Sequence, residues 1–252
     1  MQLIESEGAT LSTRSLGQGS PLILLHGLAL GSAASWYFPI ALPLAEERRV
    51  LLYDLRGHGD SSAPATGYDL ATQANDLDAV LRHHTDGGEP VDIAGHSLGA
   101  AIALHFALTR PGRVRRLALV DLPFPFEEHT FVGLREAASP AALLDEVMAR
   151  SRRPGEGQRR WERRHQRLSR LFLETTLVRD LVAEKSPPAA ALAAMQIPVL
   201  LVTGLRSNCL PGNRTLQPCI SDARLVEIDC GHEIPEEAPA ELLAALRAFF
   251  NN

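Results

Sequence analysis

The stretch "VDIAGHSLGAAIALHFALT", residues 91–109, constrains this chain more than any other. Val91–Ala94 is a run of strand length, apolar but for Asp92, Gly95-His96-Ser97-Leu98-Gly99 follows it, and Ala100–Leu108 continues as an apolar helix. A chain that turns from strand to helix so abruptly leaves little room for side chains at the turn, and the two glycines supply that room. The serine between them is thrust out at the strand's C-terminal end, beside a helix N-terminus. G-x-S-x-G in a strand–turn–helix setting is the pattern of a nucleophile elbow. Ser97 is therefore a candidate nucleophile, and the Leu98 N–H a candidate donor to an oxyanion.

Such a unit needs a sheet around it. Further short apolar runs read as strands at Pro21–Leu25, Val50–Tyr53, Leu117–Val120, Val199–Val202 and Arg224–Ile228, with a possible opening hairpin of Gln2–Ser6 and Ala9–Arg14 around Glu7-Gly8. Leu70, Ala74, Leu77 and Leu81 recur at helical spacing, and Pro239 opens a last helix with Leu242, Leu243, Leu246 and Phe249 on one face. Strands alternating with helices predict a mainly parallel sheet covered on both sides.

After Leu122 the pattern changes. Between Pro123/Pro125 and Pro187/Pro188 the chain is helical without clear strands. Within it, residues 150–170 carry Arg150, Arg152, Arg153, Arg159, Arg160, Arg163, Arg164, Arg167 and Arg170 against only Glu156 and Glu162. Trp161, His165, Leu168 and Phe172 share one helical face, from which most of these arginines point away.

Two further segments carry chemistry. In "LILLHGLAL" a strand ends at His26-Gly27-Leu28, where the Leu28 N–H can face the Ser97 elbow. Amides of this kind stabilise an oxyanion by about 3–4 kcal/mol each. His26 precedes the donor and reads as a loop brace rather than a catalytic group. In "DCGHEIPEEAP" His232 follows the last strand across a glycine, a position from which it reaches across the strand ends as general base to Ser97. His58, in the glycine-rich "YDLRGHGDSS", reads as structural.

Composition sets outer limits. The chain has 252 residues, 45% apolar and 22% charged, with a net charge of −5. This is enough to bury a core unaided and gives no overall attraction to nucleic acid or anionic membrane. No apolar run approaches the roughly 20 residues of a bilayer span. Glu5 and Glu7 stand where a signal peptide would be basic, and three cysteines lack zinc spacing. The expectation is a cytoplasmic protein with free thiols, although a Cys209–Cys219 bridge is conceivable.

"HGLALG", "YDLRGHGDSS", "GHSLG" and "GHEIPEEAP", in this order and spacing, resemble the α/β-hydrolase superfamily over almost the whole chain. The resemblance implies a mostly parallel eight-stranded sheet flanked by helices and a Ser-His-acid machine. It also implies a core of residues 1–122 and 191–252, with a helical cap at 123–190 inserted after strand 6. The family's commonest acid lies after the seventh strand, but in "GLRSNCLP" (204–211) that position is Ser207. Other branches place the acid after the sixth strand, where this chain has Asp121. Three readings stay open: Asp121 as the acid, a Ser-His dyad assisted by Ser207 or Asn208, and an inactive site.

The expected function is a serine hydrolase acting on a carboxylic ester, lactone or thioester with a largely apolar acyl part, through an acyl-enzyme. No metal or organic cofactor is called for. The alternatives are non-hydrolytic chemistry of the lyase or elimination type in the same pocket, and a ligand-binding protein on a weakened triad. The arginine-rich segment is either a solvated helix face or a recognition surface for an anionic or carrier-bound substrate.

Overall fold

Eight strands form, six where the apolar runs predict them and two at the opening hairpin. In the computed structural model, which describes residues 1–86, 88–127, 139–150 and 157–251 (Arg150 by its backbone alone), they are β1 (Gln2–Ser6), β2 (Ala9–Leu16), β3 (Pro21–Leu25), β4 (Arg49–Tyr53), β5 (Val91–His96), β6 (Val114–Val120), β7 (Val199–Gly204) and β8 (Ala223–Ile228). They make one sheet in the order β1-β2-β4-β3-β5-β6-β7-β8. β1, β2 and β4 pair antiparallel, and every pairing from β4 to β8 is parallel. The β1–β2 hairpin closes through Glu7 and Gly8, both at positive φ, the twist that suits a two-residue turn.

The central strands are apolar on both faces because both faces are covered. Along β3, Ile23 and Leu25 face a core shared with the helices Leu70–His84 and Leu98–Thr109. Leu22 and Leu24 face an opposite core containing Trp36, Leu44, Leu242 and Leu246. Leu243, expected on the core face of the last helix, is only partly buried at the edge of that second core.

One end of the sheet is tied by charge. The buried Asp92 carboxylate on β5 accepts hydrogen bonds from Arg48, Arg115 and Arg116 at 2.5, 2.9 and 3.0 Å. Burial alone would raise its pKa, but the three guanidinium groups win and hold it below the ordinary carboxylate value.

Between β6 and β7 the described residues contain four helices, Pro140–Arg150, Gln158–Leu173, Leu177–Ala183 and Ala189–Ala193, and no strand. Leu168, Leu171 and Phe172 bury one face of the second helix in the first core, and Trp161 stacks on His165 with ring centroids 5.4 Å apart. Arg159, Arg160, Arg163, Arg167 and Arg170 are exposed, and Arg164 is half-buried. Arg152, Arg153 and Glu156 lie outside the described residues. All three cysteines are free thiols. No helix among the described residues is long and apolar enough to cross a membrane.

Candidate active site

The parallel strands deliver their C-terminal ends to one edge, the usual place for a site in an open α/β sheet. Ser97 leaves β5 there with φ 53°, so the serine and neither flanking glycine takes the left-handed backbone. For a non-glycine residue that geometry costs on the order of 1–3 kcal/mol and persists because its surroundings enforce it. Gly95 and Gly99 are needed for space. A Cβ on Gly95 would run into the Gly99 carbonyl, and one on Gly99 into the carbonyls of Leu25 and His26. The Ser97 N–H is taken by the Val120 carbonyl at 2.9 Å. Leu98 is the first residue of its helix, so its own N–H has no acceptor within the helix.

His232 sits in the loop after β8 and reaches both of its predicted neighbours. Its Nε2 lies 3.0 Å from Ser97 Oγ and its Nδ1 2.5 Å from Asp121 Oδ2. A carboxylate only accepts, so Nδ1 carries the ring proton and Nε2 is left to accept the Ser97 hydroxyl. Asp121 directly follows β6 with φ 49°, a second strained residue beside Ser97, and its side chain is fully buried. Four donors satisfy it. Oδ1 accepts from Thr203 Oγ1 at 2.8 Å and the Gly204 N–H at 3.0 Å, and Oδ2 accepts from Ser207 Oγ as well as from His232. Burial disfavours both charged forms, yet the mutual hydrogen bond and charge prevail: the Asp121 pKa is lowered and that of His232 is raised well above 6.5.

The loop carrying Leu28 lies against the elbow. A Cβ added to Gly27 would stand 3.3 Å from Ser97 Cβ and 3.0 Å from His96 Nδ1. Two buried histidines brace this loop. His26 Nε2 accepts the Leu55 N–H at 3.0 Å, so its Nδ1 donates to the Gly27 carbonyl at 2.7 Å. His58 Nε2 accepts the Ala29 N–H at 3.1 Å, and its Nδ1 donates to the Arg56 carbonyl at 2.9 Å. Burial lowers their pKa values to about 4 and about 3, which keeps both rings neutral in these roles.

Neither Ser207 nor Asn208, considered as orienters of His232, hydrogen-bonds to its ring. Ser207 Oγ donates to Asp121 at 2.5 Å rather than to His232, because a hydroxyl beside a buried carboxylate gives its proton to the stronger acceptor. Asn208 is exposed, with its Oδ1 3.8 Å from Cys209 Sγ. The Cys209 thiol lies 3.8 Å from His232 Nδ1. Donor atoms of Asp121, Cys209 and His232 fall within 4.8 Å of one another, ligand types that suit zinc. Here imidazole and carboxylate already engage each other, and burial raises the thiol pKa.

His96 is the residue that sequence reasoning missed. Nothing in its spacing separates it from other histidines, yet its Nε2 donates to the His232 carbonyl at 2.8 Å and its ring underlies Gly27. Glu237 braces the same loop, accepting the N–H groups of Gly231 and Glu233. His129 lies outside the described residues.

Comparison with known proteins agrees with this architecture. A soluble epoxide hydrolase from Corynebacterium sp. strain C12 is 40% identical over 42% of this chain and 36% of its own length. A 2-(acetamidomethylene)succinate hydrolase from Mesorhizobium japonicum is 32% identical over 56% of this chain and 49% of its own. The chain thus spans between about a third and a half of the curated relatives it matches. A solved structure of Est816, described as an N-acyl homoserine lactone degrading enzyme, superposes with a TM-score of 0.78 at 27% identity, over 98% of this chain and all of that one. The model of the alpha/beta hydrolase fold matches residues 20–188, more than half of the sequence, and with the sheet order and the loops described above it places the chain in the alpha/beta hydrolase family.

Proposed function

We propose that this protein hydrolyses a carboxylic ester, lactone or thioester through an acyl-enzyme on Ser97. The observation that carries the reading is the unbroken hydrogen-bond line Ser97–His232–Asp121 at the strand ends. His232 Nε2 takes the Ser97 proton as Oγ attacks the carbonyl carbon, and the oxyanion meets the Leu28 and Leu98 N–H groups. His232 then returns that proton to the leaving oxygen or sulfur. Water, deprotonated by the same nitrogen, attacks the acyl carbon, releases the acid and restores Ser97. Asp121 fixes the tautomer and stabilises the imidazolium throughout.

The same chemistry argues against epoxide opening, the activity named for one relative. Attack by Ser97 on an epoxide carbon would leave an alkyl ether with no carbonyl for water to attack, so the site would not turn over. In 18O-labelled water, ester hydrolysis is expected to place one labelled oxygen in the acid product. Unlabelled acid, or consumption of substrate without an acid product, overturns the hydrolytic reading.

The raised pKa of His232 sets the pH dependence. A general base works only when neutral, so kcat/KM is expected to fall as pH drops through a value above 6.5, the ordinary histidine value. An acidic limb centred below 6.5 contradicts the assigned ion pair.

His96 acts here as a positioning residue, holding the backbone of the base. His96→Leu is expected to lower kcat roughly 10–100-fold with little change in KM, since small misplacements of reacting groups cost that much. His96→Gln, whose amide can donate to the same carbonyl, is expected to recover most of the loss. Equal losses in both variants, with unchanged melting temperatures, would contradict the role.

A further inference from the structure

Away from Ser97, the exposed side of the helix Gln158–Leu173 and the loop after β4 enclose a groove of about 730 Å³. Arg163, Arg167 and Arg170 form one wall, and Ser61, Ser62 and the Gly57–Gly59 backbone the other. The three arginines stand at i, i+4 and i+7, so they project from one helix face. None of them makes an ion pair among the described residues, and Glu174 is the one carboxylate lining the groove. The helix as a whole carries six arginines against Glu162. In a chain of net charge −5 this is a local concentration of positive charge, and it is turned into a cavity.

We propose that this groove binds a ligand carrying linked phosphate groups. Guanidinium forks match phosphate oxygens in pairs. From Arg163 to Arg170 the helix rises by about 10 Å, so the three side chains address a string of charges rather than one. A lone carboxylate would engage one guanidinium and leave the others unneutralised. Ser62 Oγ accepts the Thr10 N–H and keeps its own proton for a further acceptor. The groove also adjoins the loop that carries His58: its lining residues Gly57 and Gly59 flank His58, whose Nε2 holds the Ala29 N–H next to Leu28. A phosphate-bearing tail lying here would touch the residues on either side of His58. Such a tail belongs either to an acyl thioester substrate, which rests on the hydrolase reading, or to a free phosphorylated effector.

Calorimetric titration with tripolyphosphate tests the groove without using Ser97 chemistry, and Ser97→Ala protein serves equally. The expected result is saturable binding at one site per chain, weakened at least tenfold in Arg163→Gln/Arg167→Gln/Arg170→Gln. Arg159→Gln/Arg160→Gln, which alters the same helix outside the groove, is expected to stay within twofold of wild type, and succinate to bind far more weakly. Equal weakening in both variants, binding without defined stoichiometry, or tight binding only to RNA overturns the proposal. A kinetic arm then assigns the source. A substrate tail predicts that the triple variant raises KM at least tenfold for a thioester with a diphosphate-containing leaving group, with kcat and neutral-ester kinetics unchanged. A free effector predicts no such selective change in KM.

Discussion

Ser97→Ala is expected to lower kcat for an ester substrate by roughly 10⁴–10⁶-fold, the range seen when a nucleophile is removed from a machine whose parts act as a unit. The loss should fall on kcat with KM little changed, because Ser97 matters only as the acyl bond forms. The fold should hold. Gly95 and Gly99 provide the space at the elbow, and the Ser97 N–H bond to Val120 is a backbone bond that alanine keeps. Steady-state kinetics of a purified preparation, with thermal unfolding measured beside it, checks both points. A variant with wild-type kcat would show that the line of hydrogen bonds is not the machine.

Asp121→Asn is expected to cost roughly 10⁴-fold in kcat, as the loss of a correctly charged partner does in related geometry. The reason lies in the four donors around this carboxylate. Thr203, Gly204, Ser207 and His232 all point protons at it, and an amide accepts on one side only. Its NH₂ would turn the His232 ring to the tautomer whose Nε2 bears the proton and cannot accept from Ser97. Without the carboxylate the His232 pKa should fall, so the acidic limb of the residual activity moves to lower pH. Ser207 offers a second check, since its Oγ sits 2.5 Å from the oxygen that His232 uses. Adding Ser207→Asp to Asp121→Asn is expected to restore at least tenfold of the loss. A double variant no better than the single one would show that the β7 loop cannot present a carboxylate to this histidine.

The fold was legible because its signals are local. Each central strand reads as an apolar run that needs no knowledge of its neighbours, and the elbow declares itself by glycines whose neighbouring backbone forbids a Cβ. Ser97 and His232 are singled out by the same kind of local signal, Ser97 directly after β5 and His232 in the loop after β8. Asp121 was harder, since a carboxylate after β6 differs from a surface aspartate only through partners on other strands: Thr203 and Ser207 from β7 and its loop, and His232 from the loop after β8. Ser207 carries no sign in sequence that its hydroxyl meets Asp121. His96 escaped entirely, because its contact is with a backbone carbonyl 136 residues away, and a carbonyl carries no side-chain signature. The arginine segment was visible as charge, but only the loop after β4, folded against it, gives three of the arginines a common cavity.

The central claim is a covalent bond between substrate and Ser97. Rapid acid quenching during turnover of a slowly deacylated ester, followed by intact-mass and peptide mass spectrometry, addresses it directly. The account predicts one acyl group per chain, carried on the peptide containing Ser97, formed in a burst and absent from Ser97→Ala. Ester turnover with no acyl group on that peptide, or an acyl group on another residue at equal rate, would contradict it.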